Sequence, residues 1–198
     1  HDRLQEVAYN MIPPEDRCLF HFKYGIALVP RVLELQDDDL FFTAASQINR
    51  GGPAAVKDSK QGILIANLNL TAGHKAMEMS DFSAAYSFFD NGISFLRKNH
   101  WREHYDLSLQ LFESASNCAV VLGDITSLKL LSDQICTFAK SLEDKLNAMY
   151  NTVSALAYGS QLPESVDKCI IALSQLGEKL PDSYSESDTK VYIAQTQD

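Results

Sequence analysis

Residues 59–93, SKQGILIANLNLTAGHKAMEMSDFSAAYSFFDNGI, carry the pattern on which the fold turns. Asp58-Ser59-Lys60-Gln61 has the form of a capping arrangement, an acid placed just before a helix with a glutamine three residues on. Behind it Leu64, Leu68, Ala72 and Ala76 recur at steps of four, which predicts one long helix from Ser59 to about Met79. Ser80-Asp81 then caps a second helix containing Phe82, Ala85, Phe89, Gly92 and Ile93. Such a pair folds back as an antiparallel hairpin. Its small residues, Gly73, Ala85 and Gly92, fall where two helices must cross closely, and Phe89 fills the space beyond.

The same grammar extends in both directions. Upstream, Leu4, Val7 and Ala8 mark a short helix that stops before Pro13-Pro14. Pro14-Glu15-Asp16 suits a first helical turn, since proline has no N–H to lose there and acids favour the positive end of the dipole. The helix it opens presents Leu19, Phe22, Ile26 and Val29 and is expected to be interrupted at Pro30. Asp37-Asp38-Asp39 reads as a cap cluster for a helix through Ile48, ended by Gly51-Gly52-Pro53, the clearest break in the chain. Downstream, one long helix is expected from about Asn99 to Gly123, carrying Trp101, Leu107, Leu111, Ala115, Cys118 and Val121. Asp124 caps the next, Leu142 to Tyr158 follows, and Pro163-Glu164 opens a helix through Leu176. The fold class expected is all-α, stacked antiparallel helical hairpins forming an α-solenoid over 59–198, with residues 1–50 leading into it. The polar stretch 181–198 reads as frayed, or as the start of another helix.

Composition removes several classes of function. The chain has 198 residues, 45% hydrophobic and 22% charged, an ordinary globular balance. Seventeen basic against 26 acidic residues give a net charge of −9, which disfavours nucleic acid and anionic membrane as partners. The basic residues form no stripe interleaved with aromatics. No apolar run approaches the roughly 20 residues of a membrane span. Cys18, Cys118, Cys136 and Cys169 contain no C-x-x-C pair and sit among apolar residues, which predicts reduced core thiols and a cytoplasmic, soluble protein. Asn69-Leu70-Thr71 matches the glycosylation acceptor pattern by chance, inside a helix. The chain begins at His1 rather than Met, and the expectation is a piece of a longer protein.

The helix starts at Asp81, Asp124 and Pro163 are spaced by about 43 and about 39 residues, a period typical of stacked helical repeats. The Gly73, Ala85, Phe89, Gly92 pattern resembles a tetratricopeptide repeat, with Gly73 and Ala85 at the crossing of the two helices and Phe89 and Gly92 toward the next hairpin. The repeat is longer than the roughly 34 residues of that family and lacks its tryptophan-leucine-glycine signature.

Further landmarks are His1-Asp2-Arg3-Leu4, Ile12-Pro13-Pro14-Glu15, Gln47-Ile48-Asn49-Arg50-Gly51 and Asn67-Leu68-Asn69-Leu70-Thr71-Ala72-Gly73-His74. Tyr105-Asp106-Leu107-Ser108-Leu109 and Glu143-Asp144-Lys145-Leu146 continue the series. Together they resemble the region behind the NTPase core in AAA/STAND-type signalling ATPases, as found in multidomain serine/threonine kinases and hybrid histidine kinases. The resemblance implies that residues 1–50 end a winged-helix segment and that 59–198 form the helical array. It further implies that ATP or ADP binds an upstream core of the parent protein and that the array meets the ATPase core or a GAF and kinase output. This stretch itself would hold no cofactor; His1 would approach the nucleotide only when joined to that core. No G-x-x-x-x-G-K-[ST] motif occurs here, and Gly51-Gly52-Pro53 lacks the lysine.

Candidate chemistry within the chain is sparse. His100-Trp101-Arg102-Glu103-His104 matches H-x-x-E-H, in which two histidines one turn apart hold zinc and the glutamate acts as base, with Glu164 or Glu178 as conceivable third ligands. Trp101 and Tyr105 read instead as packing residues, and zinc hydrolysis ranks third among the readings. His21 and His74 read as structural, hydrogen-bonded histidines. No nucleophile–histidine arrangement assembles, so no catalytic residue and no metal site is assigned and the chain is not expected to be an enzyme. In a tetratricopeptide-like hairpin the first helix lines the concave side, which places Asn67, His74 and Glu78 on a partner-binding groove. With Leu70 and His74 where carboxylate clamps use asparagine and lysine, the partner is another kind of peptide or an intramolecular domain. The leading reading is a non-catalytic regulatory scaffold; the second is a free-standing peptide-binding adaptor.

Overall fold

Four helix starts, those of the helices beginning at Asp38, Ser59, Phe82 and Ile125, are set by aspartates. In the computed structural model, Asp37 Oδ1 accepts from Leu40 N at 3.0 Å, Asp58 Oδ1 from Gln61 N at 2.8 Å, Asp81 Oδ1 from Ala84 N at 2.9 Å and Asp124 Oδ1 from Ser127 N at 3.0 Å. Each satisfies an amide that the helix itself cannot. Residues 2–35 and 37–178 are described; His1 and the stretch 181–198 lie outside them. The helices are α1 (Asp2–Asn10), α2 (Pro14–Leu35), α3 (Asp38–Gly51), α4 (Ser59–Glu78) and α5 (Phe82–Phe95), then α6 (His100–Glu103), α7 (Tyr105–Leu122), α8 (Ile125–Phe138), α9 (Glu143–Tyr158) and α10 (Leu162–Gln175). A 3-10 turn at Pro53–Ala55 joins α3 to α4. No strand occurs among the described residues.

Each long helix packs on its successor. α2 pairs with α3, α4 with α5, α7 with α8 and α9 with α10; α3 also meets α4, α5 meets α7, and α8 meets α9. Helices two steps apart touch as well, α4 with α7 and α7 with α9. Absent side chains make the closest crossings possible. A Cβ on Gly25 would lie 2.7 Å from Ile48 Cγ1, and one on Gly51 would lie 2.5 Å from Phe22 Cβ, so α2 and α3 cross on a glycine from each. At the next hairpin a Cβ on Gly73 would overlap the Phe89 ring, with Ala85 and Phe89 fully buried. Gly92 turns to α7, where a Cβ would meet Leu111 Cδ2 at 2.7 Å. Gly73, Ala85 and Gly92 thus occupy close-packed positions.

One apolar cluster runs from Ala45 through Phe89, Leu111 and Ile135 to Ala155. A second joins Phe22, Ile48, Ile65 and Phe95, so apolar packing crosses the break at residues 51–58. Burial at these positions supplies the stability of the stack, at roughly 25 cal/mol per Å² of apolar surface.

The structure corrects several expectations. α2 passes through Pro30 and ends at Leu35. Proline deletes one backbone hydrogen bond, a loss the helix absorbs because Gly25, Phe22 and Val32 on the same helix are buried. The helix expected from Asn99 to Gly123 is broken at His104, whose φ of −137° and ψ of 53° separate α6 from α7. Leu64, placed on the apolar row of α4, is 71% exposed; the buried positions are Gly62, Ile65, Ala66, Asn69, Leu70, Ala72, Gly73 and Ala76. Cys18 is exposed and Cys136 and Cys169 are half-buried, leaving Cys118 as the core thiol, its pKa pushed up to about 11 by burial. All four cysteines are free.

Candidate functional site

Asn67, His74 and Glu78 fall at helical spacing on α4, and all three are exposed. Asn67 Nδ2 turns back to Ile63 O at 2.9 Å, which leaves its carbonyl oxygen outward. Thr71, one turn on, donates to Asn67 O at 3.1 Å. His74 reaches α7: Nε2 lies 3.2 Å from Ser114 Oγ, and the ring meets Phe89 edge-on at 5.4 Å. His74 therefore fastens α4 to α7 at the rim of the core while one edge of its ring stays in solvent. Lys75, beside it, pairs with Asp38 at 2.7 Å, tying α4 to the start of α3; that hydrogen bond raises the lysine pKa.

The stripe belongs to a longer polar seam that joins α3 to α4, α4 to α7 and α7 to α9. Asn49 on α3 and Asn69 on α4 exchange amide hydrogen bonds of 2.7 and 3.0 Å, and Asn69 also donates to Ile65 O. Asn69 is fully buried, so the glycosylation pattern that begins there is closed off in the folded chain. Between α7 and α9, Asn117 Oδ1 accepts from Asn147 Nδ2 at 3.1 Å and from Asn151 Nδ2 at 2.7 Å. Asn151 also reaches Ser116 Oγ at 3.3 Å. Ser114, Asn117, Asn147 and Asn151 were not singled out from the sequence; the i, i+4 pair Asn147 and Asn151, beside the apolar Leu146, Ala148 and Ala155 of the same helix, is the signal that could have found them. Satisfied buried amides of this kind fix register between packed elements.

A second polar cluster ties α7 to the turn before α9. Tyr105 donates its hydroxyl hydrogen to Asp144 Oδ2 at 2.5 Å and accepts from Lys140 N at 2.8 Å, with Lys140 Nζ 3.9 Å from the ring centroid. The hydrogen bond from Tyr105 lowers the Asp144 pKa, and burial together with the nearby Asp144 charge raises that of Glu113. This arrangement positions helices; it presents no nucleophile beside a base.

The H-x-x-E-H residues are not brought onto one helical face, because α6 ends at Glu103 and His104 leaves helical geometry. His100 Nδ1 lies 2.8 Å from Ser108 Oγ, and Ser108 in turn donates to His104 O at 2.8 Å, so the histidine ring is the donor to the serine. The ring stacks on Phe112 at 5.9 Å with 10° between planes. Burial and the neighbouring His104 lower the His100 pKa. Trp101, 7% exposed, packs on Phe112 and Phe138, as the sequence suggested for a packing residue. Among the described residues no three histidine, cysteine or acidic side chains converge as a metal site would require. Glu164 instead lines a cleft of about 200 Å³ between α8 and α10, with Lys129, Asp133 and Lys168. His21, read as structural, bridges Gln47 at 2.6 Å and Tyr9 at 3.1 Å. No helix among the described residues is long and apolar enough to cross a membrane. The role expected of His1 falls outside the described residues. The chain matches no protein-family model, no curated protein and no solved structure.

Proposed function

We propose that this chain is a non-catalytic, tetratricopeptide-like helical-repeat scaffold that docks a protein or a neighbouring domain. The carrying observation is the packing order: each long helix from α4 to α9 lies on the next, and α4, α7 and α9 also touch in turn. In such an array each hairpin buries its apolar face against its neighbour, so adjacent hairpins are coupled through the interface they share. The bonds His74–Ser114 and Asn117–Asn151 support this, since they link the first helix of one hairpin to that of the next, while Asn49–Asn69 joins α3 to α4.

In its finer form the proposal places the array in a STAND/AAA-type signalling ATPase, on the strength of the sequence landmarks given above. Nucleotide state in the core would change how the array docks, and the array would bias a kinase output. ATP and ADP would act only through that core. The test is deletion of residues 59–178 from the full-length protein. Loss of the coupling between nucleotide and kinase output is expected; unchanged coupling overturns the finer proposal. A free-standing peptide-binding adaptor is the second reading, favoured by the outward Asn67 carbonyl and the exposed edge of His74.

A further inference from the structure

The displaced Leu64 points to a docking site. With Leu68 and Gln61 of α4 and Ile26 and Pro30 of α2 it lines an apolar groove of about 290 Å³, floored by the buried Ile48. That volume stands at the lower end of small-molecule pockets, roughly 300–1,000 Å³, and suits one or two side chains of a peptide. Gln61 interrupts the apolar walls. Pro30 has no N–H, so the Ile26 carbonyl four residues back is deprived of its helical donor. Gln61 Oε1 accepts from Lys57 N at 2.9 Å, which fixes the amide so that Nε2 is the donor, and Nε2 has no acceptor among the described residues. The Gln61 amide, which lines the groove, can meet a carbonyl of an incoming peptide backbone.

The charge at the rim selects the peptide. On a chain of net charge −9, Lys57 and Lys60 stand exposed at the start of α4, Lys60 one turn before Leu64. Neither lies within ion-pair distance of a carboxylate among the described residues. Asp58 between them caps α4 and is an opposing charge there, so the lysines outnumber it by two to one on this segment. Lys23, one turn before Ile26 on α2, is exposed as well, and Glu34, one turn beyond Pro30, is an opposing charge on that helix. We infer that the groove between α2 and α4 docks an acidic peptide segment of a partner protein, which inserts a large aliphatic side chain beside Leu64. This rests on the scaffold reading and names the partner chemistry and place. Apolar burial would hold the segment, while the lysines choose acidic flanks and repel basic ones.

The test uses the whole chain and a fluorescein-labelled heptapeptide with leucine at its third and fifth positions and acids elsewhere. Anisotropy should report saturable binding, weakened about ten-fold or more when serine replaces the leucines or lysine the acids. Leu64→Glu and, separately, Lys60→Glu should each weaken it about ten-fold, while Asn67→Ala should not. Both substituted positions are exposed, and unchanged far-ultraviolet circular dichroism will show that the variants fold. Amide shifts should map to α2 and the first half of α4. Absence of binding, equal binding of the lysine peptide, or indifference to Leu64→Glu overturns the inference. So does sedimentation showing that Leu64 instead mediates self-association. Shifts confined to Asn67, His74 and Ser114 would overturn the groove while leaving the scaffold reading intact. Failure of the scaffold reading itself shows in the deletion experiment.

Discussion

A methyl group added at Gly73 would run into the ring of Phe89, which is fully buried and has nowhere to move. Overpacking typically costs about 1–3 kcal/mol, and the helix preference of alanine returns up to about 1 kcal/mol. Gly73→Ala should therefore destabilise the chain by about 1–2 kcal/mol in urea unfolding; a neutral or stabilising effect would show that α4 and α5 do not cross there. His100 behaves differently because its pKa is lowered in the fold by burial and by His104. The unfolded chain then binds the proton more readily, so the stabilisation is present above about pH 6.5 and is lost as pH falls from there toward the folded value. His100→Gln keeps a donor for Ser108 and cannot titrate; its melting temperature should fall less between pH 7.5 and 5.5 than that of the parent chain. At this scale the sequence was readable where a residue's role is local. Leu64 was misplaced for a geometric reason: steps of four overshoot the helical repeat of 3.6 residues by about 40° each, so Leu64 and Ala76 point about 120° apart.

Among the elements, the aspartate caps were legible because a cap involves residues three apart. Asp81→Ala should cost about 1 kcal/mol of stability, as removal of an N-cap usually does. Asp124 adds a pH signature. Hydrogen bonds from Ser127 lower its pKa, so its stabilisation is present above the ordinary carboxylate range and is lost as pH falls through the lowered value. The break between α6 and α7 was not legible, since neither glycine nor proline marks His104; it accompanies the packing of Trp101 on Phe138, 37 positions away. Pro30 was legible as a defect and misread as an end. Pro30→Ala restores the missing N–H on an exposed face and should raise stability by up to about 3 kcal/mol, as measured by thermal unfolding. A fall in stability would mean that the proline serves the geometry of α2.

Across the molecule, the hairpin order followed from helix lengths and turns, whereas the seam could not. His74 and Ser114 are 40 positions apart, and Asn117 and Asn151 are 34. Single-sequence spacing carries no information on such pairings until the stack is assembled. Stacking in turn dictates how the chain comes apart. If stability is a sum of hairpins and their interfaces, damage at the end of the stack should remain local. Leu156 on α9 is 7% exposed, and Leu156→Ala should cost about 2–5 kcal/mol at that end. The direct measurement is residue-resolved hydrogen exchange of this variant. Protection should collapse in α9 and α10 while α4, α5 and α7 keep that of the parent chain. Equal loss of protection in every helix would contradict a repeat array and require one indivisible core.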